Sequence, residues 1–239
     1  MKRRLKVNGL LIVLAFAILV LFPAVFLRRA KDPSLDAVAQ ISGIVFILMG
    51  QLLRTSARGY KSEYSRNGHM LIQGGPYSLS RNPMYLGILC VGLGVVLVLF
   101  DWWIVAVFLA IFIWRYIFLI FKEEKKLLVM FPGTYQAYIK KVPRLFPSLS
   151  EMLQREVYEY LPLKMEWLKR EIGSILFSLL IVLFLRGWRD IRREGIMAYA
   201  QEAELFIGVI ILFLFLAAYL VKRTNNHKKD ASINRKDTL

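Results

Sequence analysis

The feature that most restricts the fold of this 239-residue chain is a series of apolar runs long enough to cross a bilayer. About 20 apolar residues are needed to span the hydrocarbon core as a helix. Six segments approach that length, at residues 8–27, 36–53, 83–100, 102–121, 172–188 and 204–221. The sequence therefore predicts an all-α, polytopic helical membrane protein with about six transmembrane helices.

Charge and hydropathy support the same class of protein. The chain is 57% hydrophobic, has a mean hydropathy of +0.49 and carries a formal net charge of +16. A soluble nucleic-acid-binding protein would distribute its Lys and Arg among shorter apolar runs, so we expect no nucleic-acid partner. The lipid bilayer is the expected surrounding, in a plasma membrane or a bacterial inner membrane.

The basic residues also predict an orientation. With the N-terminus inside, most of the 33 Lys and Arg residues fall in segments that face the cytoplasm. The positive-inside rule then predicts that both termini and the polar segments at 54–82 and 122–171 are cytoplasmic. Four basic residues in "RGWRDIRREG", on the predicted outer side, run against this pattern.

Several common kinds of functional site are not indicated. The chain has one cysteine, Cys90, and two histidines, His69 and His227, and it has no CxxC or HExxH motif. We therefore expect no metal site. GxGxxG and GxxxxGK[ST] motifs are also missing from the sequence, which argues against Rossmann-type cofactor binding and a P-loop.

A tight connection organises the middle of the chain. "FDWW" at 100–103 is almost the whole link between the third and fourth apolar runs, which predicts a helical hairpin of spans three and four. The polar segments on either side of this hairpin then return to the same membrane surface. We divide the chain into N-terminal spans at 1–54, a central module at 55–147, an interfacial amphipathic helix at 148–171 broken at Pro162, two further spans at 172–221 and a basic disordered tail at 222–239.

Unusual residues for a membrane entry stand in the first polar segment, in "GGPYSLSRNPMYLG" at 74–87. Gly74 and Gly75 permit backbone angles closed to other residues, and Pro83 suits the first turn of a helix. A rigid turn that leads into a helix leaves backbone N–H groups available to a ligand. A simple capped helix entry would show the same residues.

The second polar segment begins with paired acids, in "FKEEKKLLVMFPGTYQAYIKKVPRLFP" at 121–147. Glu123 and Glu124 follow an apolar run directly, and adjacent helical residues point about 100° apart, so the two carboxylates cannot share one partner equally. Arg115, near the inner end of its span, is an intramembrane arginine of the kind that is usually paired or functional. A solvated helix cap is the alternative interpretation of the acids.

Together the two segments resemble a known family. "HMLIQGGPYSLSRNPMYLG" resembles the "HxLVxxGxYxxxRHPxYxG" signature of the isoprenylcysteine carboxyl methyltransferase family, and "EEKKLLVMFPGTYQAYIKKVPRLFP" resembles its "EExxLxxxF…YxxYxxxVPxxxP" signature. The resemblance covers about residues 69–147. It implies a cytoplasmic segment that binds S-adenosyl-L-methionine (SAM) and a lipophilic or lipidated acceptor that enters from the bilayer, most simply a carboxylate of the isoprenylcysteine type.

The resemblance also implies roles for individual residues. Arg144 would clamp an anionic acceptor and, with Glu124 and Tyr138, form the catalytic set, while a carboxylate takes the cofactor's ribose hydroxyls or ammonium group and tyrosines stack on adenine or approach the sulfonium. The implied cofactor-binding residues are His69, Leu71, Gly75, Tyr77, Arg81, Asn82, Pro83, Tyr85, Gly87, Glu123, Glu124 and Tyr135.

One departure from the family pattern concerns proton transfer. Asn82 stands where the family usually has His, and Asn cannot titrate near neutral pH. A carboxylate acceptor needs no base, whereas an amine acceptor would need one elsewhere. Three alternatives are a phospholipid-amine methyltransferase, an NADPH-dependent membrane reductase of the sterol type, and a non-catalytic lipid-binding homologue.

Overall fold

The computed structural model describes residues 23–26, 28, 33–65, 68–154, 156–194 and 196–236. Within these ranges the chain is helical and forms no β-strand. The helices are α1 (Pro23–Phe26), α2 (Pro33–Tyr64), a 3₁₀ turn (Gly75–Ser78), α3 (Pro83–Leu99), α4 (Trp102–Met130), α5 (Thr134–Lys141), α6 (Leu149–Gln154), α7 (Val157–Tyr160), α8 (Met165–Glu194) and α9 (Ile196–Lys236).

Three helices in the described part of the chain are long and apolar enough to cross a membrane, at Ser34–Tyr64, Trp102–Met130 and Ile207–Asn226. They contain the predicted spans 36–53 and 102–121 and most of 204–221. α3 is apolar but has only 17 residues. The predicted span at 172–188 lies inside α8, and most of the one at 8–27 lies outside the described residues. The count of six spans stays a prediction.

Glycines bring α2 and α3 into backbone contact. A Cβ atom on Gly43 would lie 2.7 Å from the Gly94 carbonyl oxygen, and one on Gly50 would lie 2.7 Å from that of Gly87. Such small residues allow close helix approach and van der Waals packing where no hydrophobic effect drives association. The pair α2–α3 is thereby closely packed, and the antiparallel contact brings the start of α3 to the C-terminal half of α2.

The main hydrophobic core joins this pair to the C-terminal helices. It contains Ile44, Ile47 and Leu52 of α2, Val98 of α3, and further buried residues from α8 and α9: Ile175, Leu179, Val182, Phe213, Ala217 and Leu220. The C-terminal third of the chain is therefore packed into the same bundle as the first motif.

α4 lies on the outside of this bundle. Only 11% of its most apolar 18-residue stretch is buried in protein. Trp114 and Phe118 are among its exposed side chains. Lipid would cover such a surface. Arg115 is also exposed, and a long side chain near a span end can extend its charge to the interface.

A buried arginine ties together the opposite ends of α2 and α3. Arg28 is 4% exposed, donates from Nη1 to the Leu97 carbonyl at 2.8 Å and pairs with Asp36 at 3.4 Å. Its backbone N–H donates to the Leu99 carbonyl at 3.0 Å. These bonds fix the end of the bundle remote from both motifs.

Two predicted segments differ in the structure. In place of one amphipathic helix there are two short helices, α6 and α7, and the apolar side chains of this segment are not buried as one face, because Leu153 is 80% exposed while Leu161 is 5% exposed. The tail was predicted to be disordered, yet α9 continues through Lys236. Residues 222–236 contain no Pro or Gly and several good helix formers, so nothing in them stops a helix that is already nucleated.

We predict that Gly94→Ala destabilises the bundle. An added Cβ would overlap the Gly43 carbonyl oxygen and lie 2.8 Å from the Ile47 backbone nitrogen, neither of which can rotate away. Overpacking of this kind costs about 1–3 kcal/mol. Thermal unfolding in detergent should show a lower midpoint.

Gly173→Ala in α8 is the matched control, because a Cβ there meets no atom within 4 Å. Alanine is the better helix former by about 1 kcal/mol, so this variant should unfold at the wild-type temperature or above it. Equal losses in both variants would contradict close α2–α3 packing.

Candidate functional site

The first motif is held at the N-terminus of α3. Pro83 opens the helix and Asn82 occupies the cap position, but the Asn82 side chain makes no capping hydrogen bond. Its Nδ2 instead donates to the Arg144 carbonyl at 3.0 Å and lies 3.4 Å from Glu124 Oε1. The Arg81 backbone N–H donates to the Pro143 carbonyl at 2.9 Å. Backbone and side-chain bonds thus join the two motifs directly.

Glu124 is the centre of this junction. Its side chain is 10% exposed and lies between two guanidinium groups. Arg81 Nη1 is 3.2 Å from Oε1, Arg144 Nη2 is 3.1 Å from Oε2, and Arg144 Nε lies 3.3 and 3.2 Å from the two oxygens. The carboxylate neutralises two cations that would otherwise repel each other at close range.

Glu123 has different partners and different surroundings. Its carboxylate is exposed and accepts a hydrogen bond from the Tyr85 hydroxyl at 2.8 Å. The Tyr85 ring lies 5.3 Å from that of Tyr116 on α4. The two adjacent acids therefore divide, one to a buried ion-pair network and one to an open surface of α3 and α4.

Tyrosines from α5 and the 3₁₀ turn form the wall beside the network. Tyr135 and Tyr138 are 1% and 3% exposed, and they form a small apolar cluster with Val142, Leu71 and Phe131. The Tyr138 hydroxyl donates to the Tyr77 carbonyl at 2.6 Å. Burial raises the pKa of all three tyrosines above the ordinary value, so their hydroxyls stay protonated donors at neutral pH.

A cavity of about 180 Å³ opens beside these tyrosines. It is mainly apolar, and its lining comes from both motifs: Lys61, Ser65, Gly68, Met70, Leu71, Ile72, Tyr77, Arg81, Leu127, Met130, Phe131 and Tyr138. A second cavity of about 450 Å³ shares Met70, Leu71 and Ile72 with it and reaches Tyr60 and Gly74. The segment 70–72 therefore separates two adjoining spaces.

Arg81 brings unused hydrogen-bonding capacity to the first cavity. Its side chain is 8% exposed, and neither Nε nor Nη1 makes a well-aligned hydrogen bond, although Nη1 is near enough to Glu124 for an ion pair. Buried donors without an acceptor are rare and costly in folded proteins. An anionic or hydrogen-bond-accepting group bound in the cavity would satisfy them.

The turn that carries Tyr77 depends on its glycines. Gly75 has φ +56°, in the left-handed region, and a Cβ there would lie 2.7 Å from the Tyr60 ring. Gly74 would place a Cβ 2.6 Å from the Tyr60 hydroxyl. The glycine pair therefore lets the turn pack directly against Tyr60 near the end of α2.

The structure brings together most, but not all, of the residues named from the sequence. Leu71, Tyr77, Arg81, Asn82, Glu124, Tyr135, Tyr138 and Arg144 lie in or beside the network and the first cavity. His69 is exposed and lines neither cavity. Gly87 lies at the α2–α3 contact, where a Cβ would be 2.8 Å from the Gly50 carbonyl.

Other contributors were missed. Leu127, Met130 and Phe131 line the first cavity one to two turns after the paired acids, and Ser80 bonds the Arg144 carbonyl at 3.4 Å. The apolar run "LLVMF" that follows Glu123 and Glu124 was the available signal.

Comparison with known proteins gives two matches. Residues 38–133 match the family model described as phospholipid methyltransferase. The chain is also 30% identical over 122 residues to the protein-S-isoprenylcysteine O-methyltransferase of Schizosaccharomyces pombe, an alignment that covers 47% of this chain and 51% of that protein. The family resemblance is confirmed. The chain thus spans about half the length of this curated relative, and no solved structure is significantly similar to it.

The methyltransferase-like segment, residues 38–133, coincides with the geometry of the site. It contains most of α2, the 3₁₀ turn, α3 and α4, and hence both Arg81 and Glu124. Tyr135, Tyr138 and Arg144 follow it and complete the network from the C-terminal side. The similarity therefore covers the frame of the site and one half of its ion-pair network.

We predict that the two acids differ sharply in their effect on stability. Glu124→Gln removes the charge that neutralises Arg81 and Arg144, and breaking a buried pair in this way costs about 3 kcal/mol or more. Glu123→Gln keeps an acceptor for Tyr85 at an exposed position, so its effect should stay within about 0.5 kcal/mol. Thermal unfolding of both variants measures the difference. Similar shifts would show that Glu124 is not the junction of the two motifs.

Proposed function

We propose that this chain is an integral-membrane, SAM-dependent methyltransferase that acts on a lipophilic acceptor, most simply a carboxylate of the isoprenylcysteine type. The observation that carries the proposal is the convergence of both motifs on one cavity with a buried, incompletely bonded arginine, within a chain similar to membrane methyltransferases. Three helices in the described part of the chain are apolar enough to cross a membrane, which supports an acceptor drawn from the bilayer.

The residues around the cavity fit SAM. The cofactor has a carboxylate, an ammonium group, a ribose, an adenine and a sulfonium, and it supplies the methyl group for an in-line displacement. Arg81 Nε and Nη1 offer donors for the carboxylate, and Tyr77, Tyr138 and Phe131 offer an apolar wall for the adenine. Exposed Glu123 can accept from ribose hydroxyls or the ammonium group, whereas Glu124 is already bonded to two arginines.

Catalysis in such a site consists of holding two reactants in line and excluding water. We propose that Glu124 acts by fixing Arg81 and Arg144, and that Tyr138 acts by holding the turn at Tyr77. Arg144 has a side chain that is 43% exposed and lies over the Phe121 ring at the outer helix α4, where an acceptor from the bilayer would arrive. Its guanidinium suits a carboxylate or phosphate of that acceptor.

Asn82 bears on the nature of the acceptor. Its side-chain amide donates to the Arg144 carbonyl and is 8% exposed, so it serves as a structural link between the motifs. It cannot accept a proton as His would. An acceptor that is already ionised, such as a carboxylate, needs no base, and this favours methyl ester formation over amine methylation.

Arg81 can be tested against the carboxylate of the cofactor. We predict that Arg81→Lys weakens SAM binding by about 10-fold or more, since a charge-assisted bond is worth about 1.5–3 kcal/mol and Lys lacks the Nε and Nη1 donors. Calorimetric titration should be repeated with a SAM analogue that lacks the carboxylate, for which wild type and variant should bind alike. Arg115→Lys, on the exposed side of α4, is the control and should bind SAM normally. An equal loss of affinity for both ligands would show that Arg81 does not bind the SAM carboxylate.

The acceptor can be tested directly. Purified protein in lipid nanodiscs would be given methyl-labelled SAM with a prenylcysteine analogue, with phosphatidylethanolamine, or with neither. We expect base-labile label in the prenylcysteine product, because methyl esters hydrolyse in alkali. Base-stable label in the phospholipid would contradict a carboxylate acceptor and indicate an amine acceptor, in line with the family description. Absence of SAM binding together with absence of label would overturn the proposed function.

A further inference from the structure

The C-terminal third contributes a segment that lies directly behind the glycine turn of the site. Helix α7, Val157–Tyr160, packs on the 3₁₀ turn, Gly75–Ser78. We call residues 156–164 the strap. This stretch lies outside the 38–133 segment that matches the family model.

Two buried hydroxyl groups anchor the strap at a single peptide unit, the one between Pro162 and Leu163. Ser56, which is 0% exposed on α2, donates to the Pro162 carbonyl at 2.5 Å. The Leu163 N–H donates to Thr224 Oγ1 on α9 at 3.1 Å, and Thr224 in turn donates to the Leu220 carbonyl at 2.7 Å. The strap is thus bonded on one side to α2 and on the other to α9.

Apolar contacts hold the strap at the same place in the chain. Leu161 and Leu163 are 5% and 0% exposed in the main core, and the Trp167 ring lies so close to Gly59 that any Cβ there would overlap it. Arg223, one residue before Thr224, lies 5.1 Å from the Tyr158 ring and pairs with Glu156 at the surface. These contacts give the strap one fixed position relative to α9.

The 3₁₀ turn is held from its other sides by the site itself. Tyr60 lies against Gly74 and Gly75, and Tyr138 donates to the Tyr77 carbonyl. Tyr77 lines the 180 Å³ cavity. Together with the Tyr77 hydroxyl, which donates to the Ala57 carbonyl of α2 at 3.4 Å, the strap contact is a further support of the turn.

We propose that Thr224 of α9 is a positioning residue of the site, acting through the Leu163 N–H and the strap to fix the turn at Tyr77 and so the cofactor side of the cavity. This proposal rests on the proposed function for its ligand. It gives the C-terminal helices a role in cofactor affinity, although they provide no residue to the cavity lining.

Thr224→Val tests the hydroxyl, because Val keeps the branched shape and loses both hydrogen bonds. We expect the SAM dissociation constant and KM to rise about 10-fold, a change equivalent to about 1.4 kcal/mol, while kcat at saturating SAM and the acceptor KM stay near wild type. Thr224→Ser keeps the hydroxyl and should restore wild-type affinity. Unchanged affinity in Thr224→Val, or an equal loss in Thr224→Ser, would overturn the proposal.

Ser56→Ala provides a second variant should Thr224→Val fail to fold. It removes the donor to the Pro162 carbonyl on the opposite side of the strap and should weaken SAM binding in the same selective way. Normal SAM affinity in a folded Ser56→Ala protein would count against the strap as the support of the turn.

Hydrogen exchange separates this proposal from the proposed function, since it needs no ligand. In the ligand-free Thr224→Val protein, peptides that cover 156–164 and 74–80 should both exchange faster than in wild type, with 44–52 of α2 unchanged. Faster exchange confined to 156–164 would contradict coupling between the strap and the turn, even if SAM binds. Failure of the wild-type protein to bind SAM would sink the proposed function alone.

Discussion

The buried carboxylate of Glu124 is the interaction on which the arrangement of the site depends. Two arginines from different motifs lie beside it, and its negative charge neutralises the buried Arg81 and holds the half-exposed Arg144 against the first motif. The cost of burying these charges is offset only while all the groups are present. That mutual dependence turns two separate polar segments into one structure with a defined cavity.

The helical bundle determines where this network can form. Close contact of α2 and α3 through Gly43, Gly50, Gly87 and Gly94 fixes the start of α3, where Arg81 and Asn82 lie. α4 then returns along the outside of the bundle and brings Glu123 and Glu124 to the same end, as the Tyr85–Glu123 hydrogen bond shows. The polar site therefore lies at one end of the bundle and the Arg28 cluster at the other.

Residues of the same type have different partners and different surroundings in this site. Glu123 and Glu124 are chemically identical and adjacent, yet one accepts a single bond from a tyrosine at the surface and the other is enclosed by guanidinium groups. Arg81 and Arg144 both contact Glu124, but Arg144 uses Nε and Nη2 on it while Arg81 keeps Nε and Nη1 without aligned acceptors. Such differences assign unused hydrogen-bonding capacity to specific atoms, which residue types alone cannot do.

The sequence was enough to predict a helical membrane protein and to identify the two motifs that carry the family resemblance. Long apolar runs predict helices because only local length and composition are needed, and the motif residues carried the family resemblance that the comparisons confirm. Only the tertiary structure shows which glutamate is buried, that Gly87 packs at a helix contact, that α9 continues through 222–236, and that α7 of the strap packs on the Gly75–Ser78 turn. Those outcomes depend on partners far away in the chain: Asn82 and Glu124 are 42 positions apart, and Leu163 and Thr224 are 61 positions apart. Local patterns contain no information about which distant groups will meet, because that is settled by the packing of whole helices.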